Sequence, residues 1–147
     1  MKTTIRKLMI AALFVAAPFS LQAENHGPEV EDVLVILSSD SPQTQGMAMV
    51  LSNTMAKQGA DVDVLLCDQA GDLALRHYEG EALNPKGITP GQMLRSLLKK
   101  GGSAQVCALY LPNSHHQKTD LLDGVAVAMP DGMSGQMLDS NVRVFTF

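Results

Sequence analysis

Val33-Leu34-Val35-Ile36-Leu37, followed at once by Ser38-Ser39-Asp40-Ser41-Pro42, is an apolar run of strand length that stops in a polar loop. A β-branched and leucine run with no polar alternation needs both of its faces covered, as in the centre of a parallel sheet. Over residues 44–58, Met47, Val50, Leu51 and Met55 recur at helical spacing, and Gly59 stands where a helix ends. The unit is strand, polar loop, helix.

Working outward, the unit repeats. Residues 62–67 form a second strand closed by Asp68-Gln69-Ala70-Gly71, with a short helix expected over 72–78 and a surface loop over 79–88. Thr89-Pro90 is a helix start, a capping hydroxyl before proline at the first helical position. Met93, Leu94, Leu97 and Leu98 make that helix's buried stripe, and Gly101-Gly102 ends it. A third strand is expected over 104–111, stopped by Pro112-Asn113, and a short helix over 119–123. A fourth strand over 125–129, a helix over 132–140 and a fifth strand over 142–147 complete the pattern. Strands alternating with helices of these lengths predict an α/β fold, a flavodoxin-like three-layer sandwich with a five-stranded parallel sheet in the order 2-1-3-4-5.

Upstream of the fold, Lys2, Arg6 and Lys7 precede an apolar run over 8–17, then Pro18, and Leu21-Gln22-Ala23 before Glu24. That is the order of a cleaved secretory signal peptide. The run is too short for a stable bilayer span, which takes about 20 residues. The expected organisation is therefore a signal peptide at 1–23, a flexible lead at 24–32 and one domain at 33–147, located in the periplasm. Eleven Lys and Arg stand against fifteen Asp and Glu, and the leader holds three of the bases and none of the acids. The remainder thus carries a formal net charge of −7. An acidic surface excludes nucleic acid as a partner class, and no later segment is apolar enough to require a membrane.

In a doubly wound sheet, ligands bind beyond the carboxyl ends of the strands where the strand order reverses. With the order 2-1-3-4-5 the crevice lies between strands one and three. Ser38, Ser39 and Asp40 would then line it from strand one, and Cys107 and Asn113 from strand three. A thiol there is a candidate nucleophile if a helix N-terminus lowers its pKa; otherwise it is a small buried hydrophobe. The second cysteine, Cys67, falls near the end of strand two. In that order it is two strands from Cys107, about 9–10 Å. A disulfide wants Cα atoms within about 7 Å, so a direct bridge would require the loops to bend together. The expectation is a buried, inert Cys67.

The chain over residues 33–147 resembles the DsrE/DsrF-like (YchN-like) sulfur-relay family. The residues that carry the resemblance are Val33 to Ser38 with the following helix, Leu65-Leu66-Cys67-Asp68-Gln69-Ala70-Gly71 and the helix end from Leu97 to Gly102. Ala104-Gln105-Val106-Cys107, Asp123-Gly124-Val125 and Val142-Arg143-Val144-Phe145-Thr146-Phe147 complete it. The resemblance implies a flavodoxin-like sheet and subunits that assemble as trimers or hexamers. It also implies that the cysteine at the end of strand three, Cys107 here, accepts sulfur as a persulfide from a donor protein and passes it to an acceptor. Relay members work in the cytoplasm, whereas this chain carries an export signal. Cys67 matches no relay cysteine.

A reading from a different class is a non-catalytic binding or assembly module, for a small ligand or a soft metal. Thiolate, thioether and imidazole suit Cu(I), and His115 and His116 follow strand three, with Met129 and Met133 further on. Adjacent loop histidines are more often solvated than ligands, and Met47, Met55, Met93 and Met137 fall at helix-stripe positions that suggest core filler. No metal or cofactor is therefore assigned. The chain has no phosphate-binding Gly-rich loop with lysine, no GxSxG elbow, no HExxH and no calcium-loop pattern.

Overall fold

The computed structural model describes residues 32–78 and 80–147. The signal peptide expected at 1–23, and the lead at 24–32 apart from Asp32, lie outside the described residues.

The opening run forms β1 (Asp32–Leu37), with Leu34, Val35 and Leu37 fully buried. Ser41 caps α1 (Pro42–Lys57), its side chain accepting from Thr44 N, and β2 (Asp61–Leu66) follows the turn at Gly59. Gly59 has φ +99°, a left-handed conformation that glycine adopts without a Cβ clash. A 3-10 turn over Asp68–Ala74 takes the place of the helix expected at 72–78. α2 (Pro90–Lys99) begins in the expected way. Thr89 accepts from Gln92 N, Gln92 accepts from Thr89 N, and Leu94 and Leu97 are fully buried. β3 (Ser103–Val106), β4 (Ala126–Val127), α3 (Pro130–Leu138) and β5 (Val142–Thr146) complete the fold.

β3 and β4 are shorter than their apolar runs. β2 ends at Leu66 and offers β3 no partner much beyond it, so Cys107 bonds to the Leu66 carbonyl and the chain then turns, Tyr110 N donating to Cys107 O. On α1, Met55 packs against the main core as its spacing suggests, but the other three residues at helical spacing are not the buried ones. Met47, Val50 and Leu51 are exposed, while Gln45, Gly46, Ala48, Met49 and Ser52 face inward. Apolar residues surround this helix, so spacing alone did not select a face; the small side chains let it lie close to its neighbours. Met137 is likewise exposed rather than core filler.

All four strand pairings are parallel, and the order along the sheet is β4-β3-β2-β1-β5. The five-stranded parallel sheet with helical layers is as expected, but β2 rather than β1 is the neighbour of β3, unlike the order 2-1-3-4-5. Both orders satisfy right-handed crossovers and keep β1 and β3 interior, so the apolar runs of those strands do not distinguish them; β2 is an edge strand in the expected order and an interior one here. The chain steps one way along the sheet from β1 to β4, which places α1, α2 and the 111–123 segment on one face. It then returns through α3 to β5, and a right-handed return puts α3 on the other face. Accordingly Val33, Val35, Val64, Leu66 and Val106 pack in the main core with Leu94 and Leu97. Leu34, Leu65 and Ala128 form a smaller cluster against Met133 and Val142.

Candidate functional site

The connections after β2 and β3 leave toward one face and the connection after β4 toward the other. The sheet therefore opens at the carboxyl ends of β2, β3 and β4, the place where α/β sheets take ligands. A cleft of about 630 Å³ lies there. Cys67 and Asp68 enter it from the end of β2, the segment from Cys107 to Tyr110 from the end of β3, and Ala128, Pro130 and Met133 from β4 and the first turn of α3. The lining is mostly apolar. Among the described residues it contains no Lys, Arg or His, and its charged groups are Asp68 and Asp72.

Because β2 and β3 are adjacent and Leu66 is in register with Val106, the next residue on each strand is Cys67 and Cys107. Their Cα atoms are 5.0 Å apart and the two sulfurs are joined as a disulfide. Neither residue is buried; both are partly exposed and both line the cleft. The expectation of an isolated, inert Cys67 is thus replaced by a bridge. The distance assumed between the cysteines came from the strand order, and the observed order halves it. Asp68, directly after Cys67, has φ +51°. This is a left-handed conformation uncommon outside glycine, though Asp tolerates it better than most residues.

Tyr110 forms the polar wall. Its hydroxyl donates to Asp72 Oδ1 at 2.6 Å and its ring stacks on His116 with centroids 6.3 Å apart. Burial, reinforced by the hydrogen bond to Asp72 and that carboxylate's charge, pushes the Tyr110 phenol well above its ordinary value. Gly71 lies under the ring so closely that a Cβ there would collide with it.

No family model and no curated protein matches this chain. Solved structures do. The ychN protein of E. coli superposes with a TM-score of 0.66 at 17% sequence identity, covering 80% of this chain and 99% of that one. MTH1491 of Methanobacterium thermoautotrophicum, described as a protein of unknown function, superposes with a TM-score of 0.62 at 16% identity, covering 79% and 98%. The chain has the YchN fold. The architecture implied by the resemblance to DsrE/YchN-like proteins is therefore present over nearly the full length of both structures.

Within this YchN fold the residues singled out from sequence separate into two groups. Cys107 and Asn113 line the cleft. Ser38, Ser39 and Asp40 do not; they sit at the end of β1, on the far side of β2 from β3. Ser38 N donates to the Phe147 carbonyl, and Ser39 O accepts from Gln45 Nε2. His115 is exposed, His116 is engaged with Tyr110, and Met129 is 69% exposed. Of the methionines considered with them, Met133 faces the cleft. Among the described residues no group of three or more His, Cys, Asp or Glu is gathered around a common point. The residues that sequence reasoning did not assign to the site are Cys67, Asp68, Asp72 and Tyr110. The run Leu66-Cys67-Asp68-Gln69 carried a signal, a thiol at the end of a strand next to polar residues, but the assumed strand order moved it away.

Proposed function

We propose that this chain is an exported, DsrE-like sulfur-relay protein whose Cys107 takes up sulfane sulfur as a persulfide. The observation that carries this reading is the position of Cys107, partly exposed in the cleft at the carboxyl ends of the strands. A persulfide acceptor needs a thiolate that a donor can reach. In the bridged form neither thiol is free, so the working form is the reduced one and a dithiol reductant must open the bridge. The first turn of α3 lines the same cleft, and the positive end of a helix dipole favours a thiolate. The two carboxylates Asp68 and Asp72 in a mostly apolar lining favour a cysteine persulfide on a protein segment over a phosphate or a multiply charged anionic thiol.

The secretory leader expected at 1–23 supports location in the periplasm. Assembly into a trimer or hexamer is supported by exposed apolar side chains on α1 and α3 and along β5: Met47, Val50, Leu138, Val144 and Phe145. One observation favours the second reading, a binding module: the cleft is mostly apolar and large enough for a small ligand with the bridge intact.

The test is intact-mass measurement of the reduced protein after exposure to an uncharged persulfide donor, with Cys67→Ser used to keep the sulfur in place. A gain of about 32 Da, removed by reductant and absent from the Cys67→Ser/Cys107→Ser double variant, is expected. No gain in Cys67→Ser, with its folding unchanged, would discard the relay reading in favour of ligand binding.

A further inference from the structure

We infer that Cys67 is a resolving cysteine that discharges the Cys107 persulfide, so that sulfane sulfur leaves this protein as hydrosulfide. The inference rests on the reading of Cys107 as the sulfur acceptor and adds what happens next. It comes from the register of β2 and β3. Cys67 N donates to Leu37 O and Cys107 N to Leu66 O, so both cysteines sit on the ordered ends of adjacent strands and not in free loops. Residues paired across a parallel ladder share a face. Leu65, two positions before Cys67, and Ala128, which follows Val127 as Cys107 follows its register partner Val106, belong to the cluster with Met133 against which both cysteines pack, and this places that face toward α3 and the cleft. With Cα atoms 5.0 Å apart, each sulfur lies within bonding reach of the other without movement of either strand.

The chemistry balances in two steps. In the first, the Cys107 thiolate attacks the outer sulfur of a donor persulfide, R–S–SH. The donor S–S bond breaks, R–S⁻ leaves, and Cys107 carries –S–SH. In the second, the Cys67 thiolate attacks the inner sulfur, which is Cys107 Sγ. The Cys67–Cys107 bond forms, the bond to the outer sulfur breaks, and the electron pair departs with it as HS⁻. Two thiols are oxidised to a disulfide, and one sulfane sulfur is reduced by two electrons to sulfide. A dithiol reductant then restores both thiols. The second step is intramolecular and its nucleophile is already positioned, so it outruns transfer to a separate acceptor protein. Attack at the inner sulfur expels hydrosulfide, a weaker base than an alkyl thiolate and hence a better leaving group. A relay protein with one cysteine stores sulfur. One with a second cysteine next along the ladder empties itself and closes its own bridge.

The experiment is a single turnover with the full-length exported protein, reduced, freed of reductant and mixed under anaerobic conditions with one equivalent of N-acetylcysteine amide persulfide. Sulfide is measured in solution and protein mass in parallel. The wild type is expected to release one hydrosulfide per chain and to end about 2 Da below the reduced mass. Cys67→Ser is expected to hold about 32 Da of added sulfur and to release sulfide at least about tenfold more slowly. A wild type that keeps the added sulfur as long as Cys67→Ser overturns the resolving role and leaves the acceptor role standing. Sulfur uptake by neither protein overturns both. Undiminished sulfide release from Cys107→Ala overturns the assignment of the two roles. Should Cys67→Ser fold poorly, Cys67→Ala replaces it, and the wild-type mass and sulfide yield decide the question without either variant.

Discussion

Tyr110 joins the 3-10 turn after β2 to the turn after β3, its hydroxyl donating to Asp72 across those two walls of the cleft. Tyr110→Phe keeps the ring against Gly71 and removes the donor to a partly buried carboxylate. It is expected to cost about 1–2 kcal/mol, seen as a lower urea midpoint with unchanged slope. The sign of the pH effect follows from the raised phenol pKa. The folded chain keeps the Tyr110 proton at a pH where the unfolded chain has lost it, so the contribution is complete below the ordinary value of 10.0 and drains away as pH rises toward the folded value. Between pH 9 and 11 the wild type should lose more unfolding free energy than Tyr110→Phe. Parallel losses would mean that the phenol is not held in its protonated form.

At the scale of elements, the bridge ties β2 to β3 across a separation of 40 residues. Closing a loop of that length in the unfolded chain is worth roughly 4 kcal/mol by chain entropy alone. Reduction is expected to lower the unfolding free energy by about 2–4 kcal/mol while leaving the domain folded, because neither cysteine is among the buried residues of the main core under α1 and α2, Cys107 only packing against its edge. Urea titrations with and without a dithiol check this; unfolding on reduction at 25 °C would show the bridge to be structural. The same elements show what was legible beforehand. β1, α1, α2 and β5 were readable because run length, the Thr89 cap and the glycine stops are local signals. The position of β3 beside β2 was not, since a buried strand looks the same whichever buried strand it joins. That single ambiguity moves the lining of the cleft: Cys107 and Asn113 are in it, Cys67 joins them where the expected order keeps it two strands away, and Ser38, Ser39 and Asp40 lie on the far side of β2. The buried face of α1 was hidden for a different reason, its apolar residues being spread around the whole helix.

For the whole molecule, the side of the sheet beyond β1 leaves a run of apolar surface uncovered. α3 buries none of its residues, Leu138 is 85% exposed, and β5 is an edge strand with Val144 and Phe145 each close to 40% exposed. Surface of this kind on an edge strand marks an association site. Light scattering of the wild type is expected to give three or six chain masses, and Leu138→Glu with Val144→Glu is expected to reduce that to one. An unchanged assembly would move the interface elsewhere, with the exposed Met47 and Val50 face of α1 the next candidate.

β1 is flanked by β2 on one side and by β5 on the other, and the contact between Ser38 and Phe147 spans 109 positions. A chain emerging from a ribosome or a translocation channel makes β1 first and β5 last. At about 5–20 residues per second, the first strand waits roughly 5–20 s for its second neighbour. Throughout that interval the most apolar strand of the protein has one ladder of amides and carbonyls open to any passing strand. The element that completes the sheet is therefore also the one that ends its period of greatest exposure to misassociation.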